Sequence, residues 1–345
     1  MADPAIERAI LRRVLSLPRP ILRLIAGGGA VYAGGRTLDP RFQFLAQQAV
    51  TAPPLVGQTP AEARLRVERV LKMIAAAPEP GVAAEDLTLE TAGGPIAARA
   101  YRPADQDPQA PLLVYAHQGG GVLCDLTVAH VFCTILAKTL RAPVLSVDYR
   151  LAPEHRFPAG LQDMLDAFRW AREHAPRFGA PTGAAAVGGD CIGATFAAVL
   201  CQELKRQGEP QPAFQLLIYP LTDVASETPS MATYADAYPL SRRLLEWFLG
   251  HYLPPDGDPA DSRLSPIKAE ELSGLAPAII ATAGYDPLLH QGEAYARRLR
   301  AAGTPVLYRC YDGLAHGFTA FTGVVTAADA ACREIAGLTR GLIRP

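Results

Sequence analysis

Five consecutive residues, Gly189-Asp190-Cys191-Ile192-Gly193, place a thiol between two glycines. The run follows an apolar stretch, Ala184 to Val187, and opens a helical pattern from Ala194 to Arg206. A strand–turn–helix of this kind is the setting of the G-x-nucleophile-x-G turn. The central side chain there sits on strained backbone, and neighbouring side chains would collide unless they were glycine. The unpaired N–H groups of a helix N-terminus favour a negative charge, which suits a thiolate. Serine is the usual occupant; here the residue is Cys191. A second signal, His117-Gln118-Gly119-Gly120-Gly121, follows the apolar run Leu112 to Ala116. A glycine run at that place lets backbone N–H groups point into a pocket, as an oxyanion hole requires. It is not a phosphate loop, because no Lys-Ser/Thr follows and the G-x-G-x-x-G spacing is missing. The remaining roles need an acid and then a histidine. Asp286 follows the apolar run Ala278 to Ala283, and His316 follows Val306 to Tyr311 within a short loop. Of seven histidines, His316 alone meets that order after a late strand.

The elements that must position these groups are legible as an alternation. Apolar runs at Ile96 to Tyr101, Leu112 to Ala116, Val144 to Val147, Ala184 to Val187, Phe214 to Tyr219, Ala278 to Ala283 and Val306 to Tyr311 read as strands. Helical patterns lie between or after them: Val128 to Leu140, Leu161 to Glu173, Ala194 to Arg206, Glu293 to Ala302 and Ala327 to Ile343. Strands apolar throughout, alternating with helices, indicate a mostly parallel sheet covered on both faces. In such sheets ligands bind beyond the carboxyl ends of the strands. Residues before about Pro80 read as helices broken by Pro and Gly. Thr59-Pro60-Ala61-Glu62 supplies an N-cap, a first-turn proline and an acid for one running to about Ala77. The interval Asp223 to Leu264, with Trp247, Phe248 and Tyr252, breaks the rhythm and reads as an excursion from the sheet. The expected organisation is a helical segment over 1–80 and an α/β domain over 81–345 with an insertion at about 223–264.

Length and composition bound the rest. At ~150 residues per domain, 345 residues suggest two domains, but α/β folds run this long as one unit with an appended lid. Thirty-three Lys+Arg against thirty-four Asp+Glu give a formal charge of -1, which excludes a strongly basic nucleic-acid binder. Six cysteines without a C-x-x-C pair read as reduced thiols. No stretch approaches the ~20 apolar residues that span a bilayer, so no stable membrane insertion is expected. Arg12 and Arg13 before an apolar-leaning segment resemble an export signal, but Pro18, Arg19, Pro20 and Arg23 interrupt it and Glu7 sits in its flank. Ile6, Ile10, Leu11, Val14 and Leu15 instead fit one face of a short amphipathic helix, and a cytoplasmic protein is expected. No His/Cys/Asp cluster has ligand spacing, so neither metal nor cofactor is expected.

Taken together, the chain resembles the hormone-sensitive lipase family of α/β-hydrolases, the bacterial family IV esterases, over nearly its whole length. The resemblance is carried by Asp148-Tyr149-Arg150-Leu151-Ala152-Pro153-Glu154-His155-Arg156-Phe157-Pro158-Ala159, by Asp286-Pro287-Leu288 with Gly292-Glu293-Ala294-Tyr295-Ala296, and by His316-Gly317-Phe318. It implies an α/β-hydrolase fold with a helical cap, and cofactor-free hydrolysis of a small-molecule acyl substrate, in a family whose members often dimerise, which leaves a homodimer possible here. By position it implies Cys191 as nucleophile, His316 as base and Asp286 as its orienter, with the N–H groups of Gly119, Gly120 and Ile192 as oxyanion hole.

The departures from the family cluster on the site. Gln118 stands where the family has its first loop glycine, Gly121 where Phe or Trp packs, and Cys124 where another glycine lies. Ser-Ala-Gly-Gly becomes Cys191-Ile192-Gly193-Ala194, and an acidic pair becomes His290 and Gln291. Gln118 and Gly121 are therefore expected to shape the substrate pocket. Gly121 would open space beside the oxyanion hole, and Gln118 would fill it or offer an amide. Ile192 is expected either to shield an acyl intermediate or simply to repack the loop. A thiol of ordinary pKa ~8.5 ionises far more readily than a hydroxyl, but thiolate is also a good leaving group. It suits activated acyl groups such as thioesters, aryl esters and strained lactones, an arrangement similar to that of dienelactone hydrolases. The expectation is hydrolysis through a Cys-His-Asp triad and an acyl thioester, with acyl transfer or lyase/cyclase chemistry as alternatives. A pure ligand binder has no need of a base held by a carboxylate.

Overall fold

The computed structural model of the protein describes residues 4–343. Four helices come first: α1 (Pro4–Leu15), α2 (Arg19–Ile25), α3 (Pro40–Val50) and α4 (Pro60–Ile74). A two-residue hairpin, β1 (Tyr32–Ala33) with β2 (Arg36–Thr37), separates the second from the third. The cap of α4 is the expected one. Thr59 Oγ1 accepts from the Glu62 N–H, and the Glu62 carboxylate accepts from the Thr59 N–H, with Pro60 opening the helix. The helix ends at Ile74, three residues short of the expected Ala77. Pro78 disfavours helical backbone before it, and the 74–76 backbone runs so close to Gly323 that a Cβ there would stand 2.4 Å from the Ile74 carbonyl oxygen.

The centre is an eight-stranded sheet: β3 (Val82–Thr91), β4 (Gly94–Pro103), β5 (Leu112–Ala116), β6 (Val144–Val147), β7 (Ala185–Asp190), β8 (Gln215–Ile218), β9 (Ala278–Tyr285) and β10 (Val306–Ala315). Their spatial order is β10-β9-β8-β7-β5-β6-β4-β3. Every neighbouring pair from β10 to β6 is parallel; β4 pairs antiparallel with β6 and β3. Helices α6 (Ala159–His174), α7 (Ile192–Arg206) and α10 (Leu289–Ala301) cover one face, and α5 (Leu126–Leu140) and α11 (Thr326–Ile343) the other. Strand β5 shows why its residues are apolar without alternation. Leu112, Val114 and Ala116 enter one core, while Leu113 and Tyr115 enter the core on the opposite face.

Strand β3 was not expected from sequence. It is an edge strand, mostly exposed, with Glu85, Asp86 and Glu90 along it, so its residues carry no apolar run. The interval 223–264 leaves the sheet, carrying α8 (Pro229–Thr233) and α9 (Arg242–Tyr252) between β8 and β9. Among the described residues no helix is long and apolar enough to cross a membrane.

Candidate active site

Each candidate group stands at the carboxyl end of a strand. Cys191 follows β7 directly, with a positive φ (φ 55°, ψ -123°) that residues other than glycine rarely adopt. The residue is 8% exposed. Close approach explains the flanking glycines: a Cβ on Gly193 would lie 2.1 Å from the Ala116 carbonyl oxygen, and one on Gly189 2.4 Å from the Gly193 carbonyl carbon. The elbow is thus wedged against the end of β5, where the glycine loop begins.

Asp286 follows β9 and is fully buried; its Oδ1 accepts the Leu288 N–H at 2.8 Å. Its Oδ2 lies 2.7 Å from His316 Nδ1, which fixes the imidazole with Nε2 free for the sulfur. His316 follows β10, which runs to Ala315 through a bulge between Tyr311 and Ala315, farther than the sequence suggested. Burial alone would lower the His316 pKa. The Asp286 carboxylate and the Cys191 sulfur, each also hydrogen-bonded to the ring, outweigh it and lift the imidazolium to about 10. Structure therefore brings Cys191, His316 and Asp286 together, and Cys191 and His316 share a cavity of about 500 Å³.

Gly119 and Gly120 line the same cavity, in backbone conformations open to glycine (φ 129° and 64°). The N–H of Ile192 belongs to the first turn of α7, where amides have no partner within the helix. The side chain of Ile192 is buried in the core beneath the cavity, so it repacks the elbow and does not face the sulfur. Gln118 lines the cavity: its Nε2 donates to Thr319 Oγ1 at 3.4 Å, and its amide covers Gly317. Gly121 behaves differently from the expectation that it opens the pocket. The Tyr252 ring of α9 fills the space beside it, 2.7 Å from where a Cβ would stand, and Gly121 is not part of the cavity wall. Phe248 presses on Gly120 in the same way, so the glycine run also seats the aromatic face of α9. Gln291, which replaces an acid, is buried and clamps the insertion. Its Oε1 accepts from the N–H groups of Thr222 and Asp223, and its Nε2 donates to the Asp223 carbonyl.

Sequence reasoning missed a second layer under the imidazole. Tyr219, at the end of β8, holds φ 37° and sets its ring 4.7 Å from that of His316. Its hydroxyl lies 2.8 Å from Asp190 Oδ2 and 2.6 Å from Thr319 Oγ1, and Thr319 Oγ1 lies 2.7 Å from the same carboxyl oxygen. Burial pushes the Asp190 pKa up, opposed by those two hydroxyls. The available signal was an acid beside the nucleophile inside a buried turn, where a lone carboxylate is costly. His117 is also buried. Burial pushes its pKa down to about 4, against its bond to the Gln118 carbonyl, so it is a neutral support stacked 4.3 Å from Tyr149.

A further acid, Asp148, lies in the wall of an adjoining polar cavity with Asp125. Burial and the Asp125 charge push its pKa up to about 6, with Arg99 opposing. A carboxyl with a raised pKa binds its proton more readily when folded, so the penalty is absent below about pH 4 and complete above about pH 6. Asp148→Asn is accordingly expected to raise Tm by a few degrees at pH 8 and to leave it unchanged at pH 4, as thermal denaturation at the two pH values would show.

A mostly parallel sheet carrying a thiol, an acid and a histidine on the loops after β7, β9 and β10 defines the α/β-hydrolase class. A family model described as alpha/beta hydrolase fold matches residues 113–320, and the chain belongs to that family. It is 42% identical over 310 residues to carboxylic ester hydrolase LipN of Mycobacterium tuberculosis, covering 88% of this chain and 82% of that one. It is 38% identical to ethyl acetate hydrolase of Pseudomonas putida, over 78% of this chain and 86% of that one. Among solved structures, an alpha/beta hydrolase enzyme from the metagenome of Lake Arreo, Spain, superposes with a TM-score of 0.84 at 38% identity, covering 88% of this chain and 98% of that one. Among the described residues, no group of three His, Cys, Asp or Glu could hold a metal ion.

Proposed function

We propose that the protein is a carboxylic ester hydrolase whose nucleophile is Cys191 and whose intermediate is an acyl thioester. The observation that carries this reading is the sulfur's place: on the strained elbow, in one cavity with an imidazole that a buried carboxylate holds at 2.7 Å. The names of the relatives support ester hydrolysis. In the mechanism, the Cys191 thiolate attacks the acyl carbon, and the N–H groups of Gly119, Gly120 and Ile192 receive the oxyanion. Collapse expels the alkoxide or thiolate, which takes the proton of the His316 imidazolium. A water then attacks the thioester while His316 removes its proton, and thiolate leaves as the acid is released. Asp286 holds the ring throughout.

The second tetrahedral adduct collapses easily because thiolate leaves well. The first one does so only if its leaving group competes with thiolate. The site therefore suits aryl esters, thioesters and strained lactones, with a small acyl group against Leu244, Phe248 and Phe321. Six free thiols fit a reducing compartment, and the cytoplasm is the proposed one. The N-terminal helices and α9, which close over the cavity, act as the cap.

The test is intact-mass analysis after brief mixing with a p-nitrophenyl ester and acid quench. Burial raises the pKa of the other five thiols, which disfavours the thiolate at each of them. One acyl adduct on the Cys191 peptide, absent from Cys191→Ala, is the expected result. Full turnover by Cys191→Ala would remove the covalent step and leave proton transfer by His316 as the chemistry.

A further inference from the structure

The four N-terminal helices carry more apolar surface than the core takes up. Of the eleven exposed large hydrophobic side chains among the described residues, ten lie before residue 71. Helix α1 shows how this arises. Its apolar stripe spans roughly 180° at 100° per residue, wider than one packing seam needs. Leu15 is buried and Leu11 and Val14 pack partly, while Ile6 and Ile10 stay outside, Ile10 at 59% exposure. Leu24 on α2 (71%), Tyr32 in the hairpin (69%) and Val50 on α3 (80%) are similarly bare. Helix α1 packs on α4 and α2 on α3, and Arg41 of α3 donates to the Leu15 carbonyl of α1, so these helices form one layer.

The same segment is cationic. Residues 1–74 hold eleven Lys+Arg against five Asp+Glu, a balance of +6, and the remainder holds twenty-two against twenty-nine, a balance of -7. A chain whose total is near neutral is thus polarised between its helical layer and its sheet domain. Arg13 and Arg69 are exposed and have no acidic partner among the described residues. Basic charge with scattered large apolar side chains, on helices that do not span a bilayer, is the composition of an in-plane interfacial surface. A second copy of the chain would fit such apolar surface, but two cationic faces repel one another, and the segment stays cationic with Arg36 and Arg64 paired to Asp312 and Glu154.

We propose that this face docks the protein on an anionic lipid–water interface. Its place explains what docking would serve. Leu11, Leu45, Val70 and Met73 of the same layer form the outer wall of the cavity that holds Cys191. Val70 is both in that wall and at the surface, so an apolar acyl chain passes from lipid to the sulfur without a layer of water between. The inference is independent of the thioester chemistry, because docking is read without turnover.

The experiment is cosedimentation of the full chain with vesicles of phosphatidylcholine alone, or with one-third phosphatidylglycerol. Partition at least roughly tenfold stronger on the anionic vesicles in about 0.1 M salt, and lost in about 0.5 M, is expected. Arg13→Glu/Arg69→Glu lowers that partition roughly tenfold or more. Ile10→Ser/Leu24→Ser lowers it at unchanged charge. Both variants keep the parent's turnover of a water-soluble ester. Wild-type protein left in the supernatant, or partition indifferent to lipid charge and to the Arg variants, would overturn the proposal. So would a dimer in ultracentrifugation that Ile10→Ser/Leu24→Ser dissociates, since the face would then belong to a second copy.

Discussion

Cys191→Ala is expected to lower kcat/KM for a p-nitrophenyl ester by roughly 10⁴-fold, and Cys191→Ser to change which esters are accepted. The alanine variant retains the cavity and imidazole, so its residual rate measures what positioning and the oxyanion hole do alone. The serine variant asks a sharper question. In the tetrahedral adduct of an ethyl ester, thiolate leaves in preference to ethoxide, so most encounters of the native enzyme revert. A serine adduct has two leaving groups of similar basicity and partitions more evenly. The ratio of aryl-ester to ethyl-ester kcat/KM should therefore fall by about tenfold or more in Cys191→Ser, one factor of ten being ~1.4 kcal/mol in the barrier. Steady-state kinetics on the two esters gives the answer. An unchanged ratio would mean that collapse of the adduct does not select the substrate, and the preference for activated acyl groups would have to be given up.

The central sheet and the order of the three site residues were legible because each rests on a local rule. Strands buried on both faces are apolar without alternation, and the elbow needs glycines that its backbone contacts with Ala116 make unavoidable. What could not be read was set by contacts between distant segments. Strand β3 is polar because it lies at an edge. Gly121 looked like an opening, yet it is the seat for Tyr252, more than a hundred residues away. For Ile192 the sequence left shielding and repacking open, and α7 turns the side chain into the core. Tyr219 lay within an expected strand, and nothing local marked its end as the support for His316. The polarised charge was present in the residue counts but was hidden by a total near zero.

The Asp286–His316 pair tests the electrostatics on which the reactive thiolate depends. Asp286→Asn keeps the side chain's size and removes its charge, and it can hydrogen-bond the ring in the wrong tautomer. A loss of roughly 10³–10⁴-fold in kcat/KM is expected from that change. The pH dependence carries more information than the magnitude. The imidazolium is held to about 10 against burial by two negative neighbours, of which Asp286 is the larger. Removing it leaves burial less opposed, so the imidazolium loses its proton at lower pH. The proton on the ring can be followed directly by NMR of the imidazole nitrogens. In the native enzyme His316 should stay charged from about pH 7 to pH 9. In Asp286→Asn the ring should lose its proton at distinctly lower pH. If Asp286→Asn held that proton over the same range as the native enzyme, the carboxylate would serve only to orient the ring.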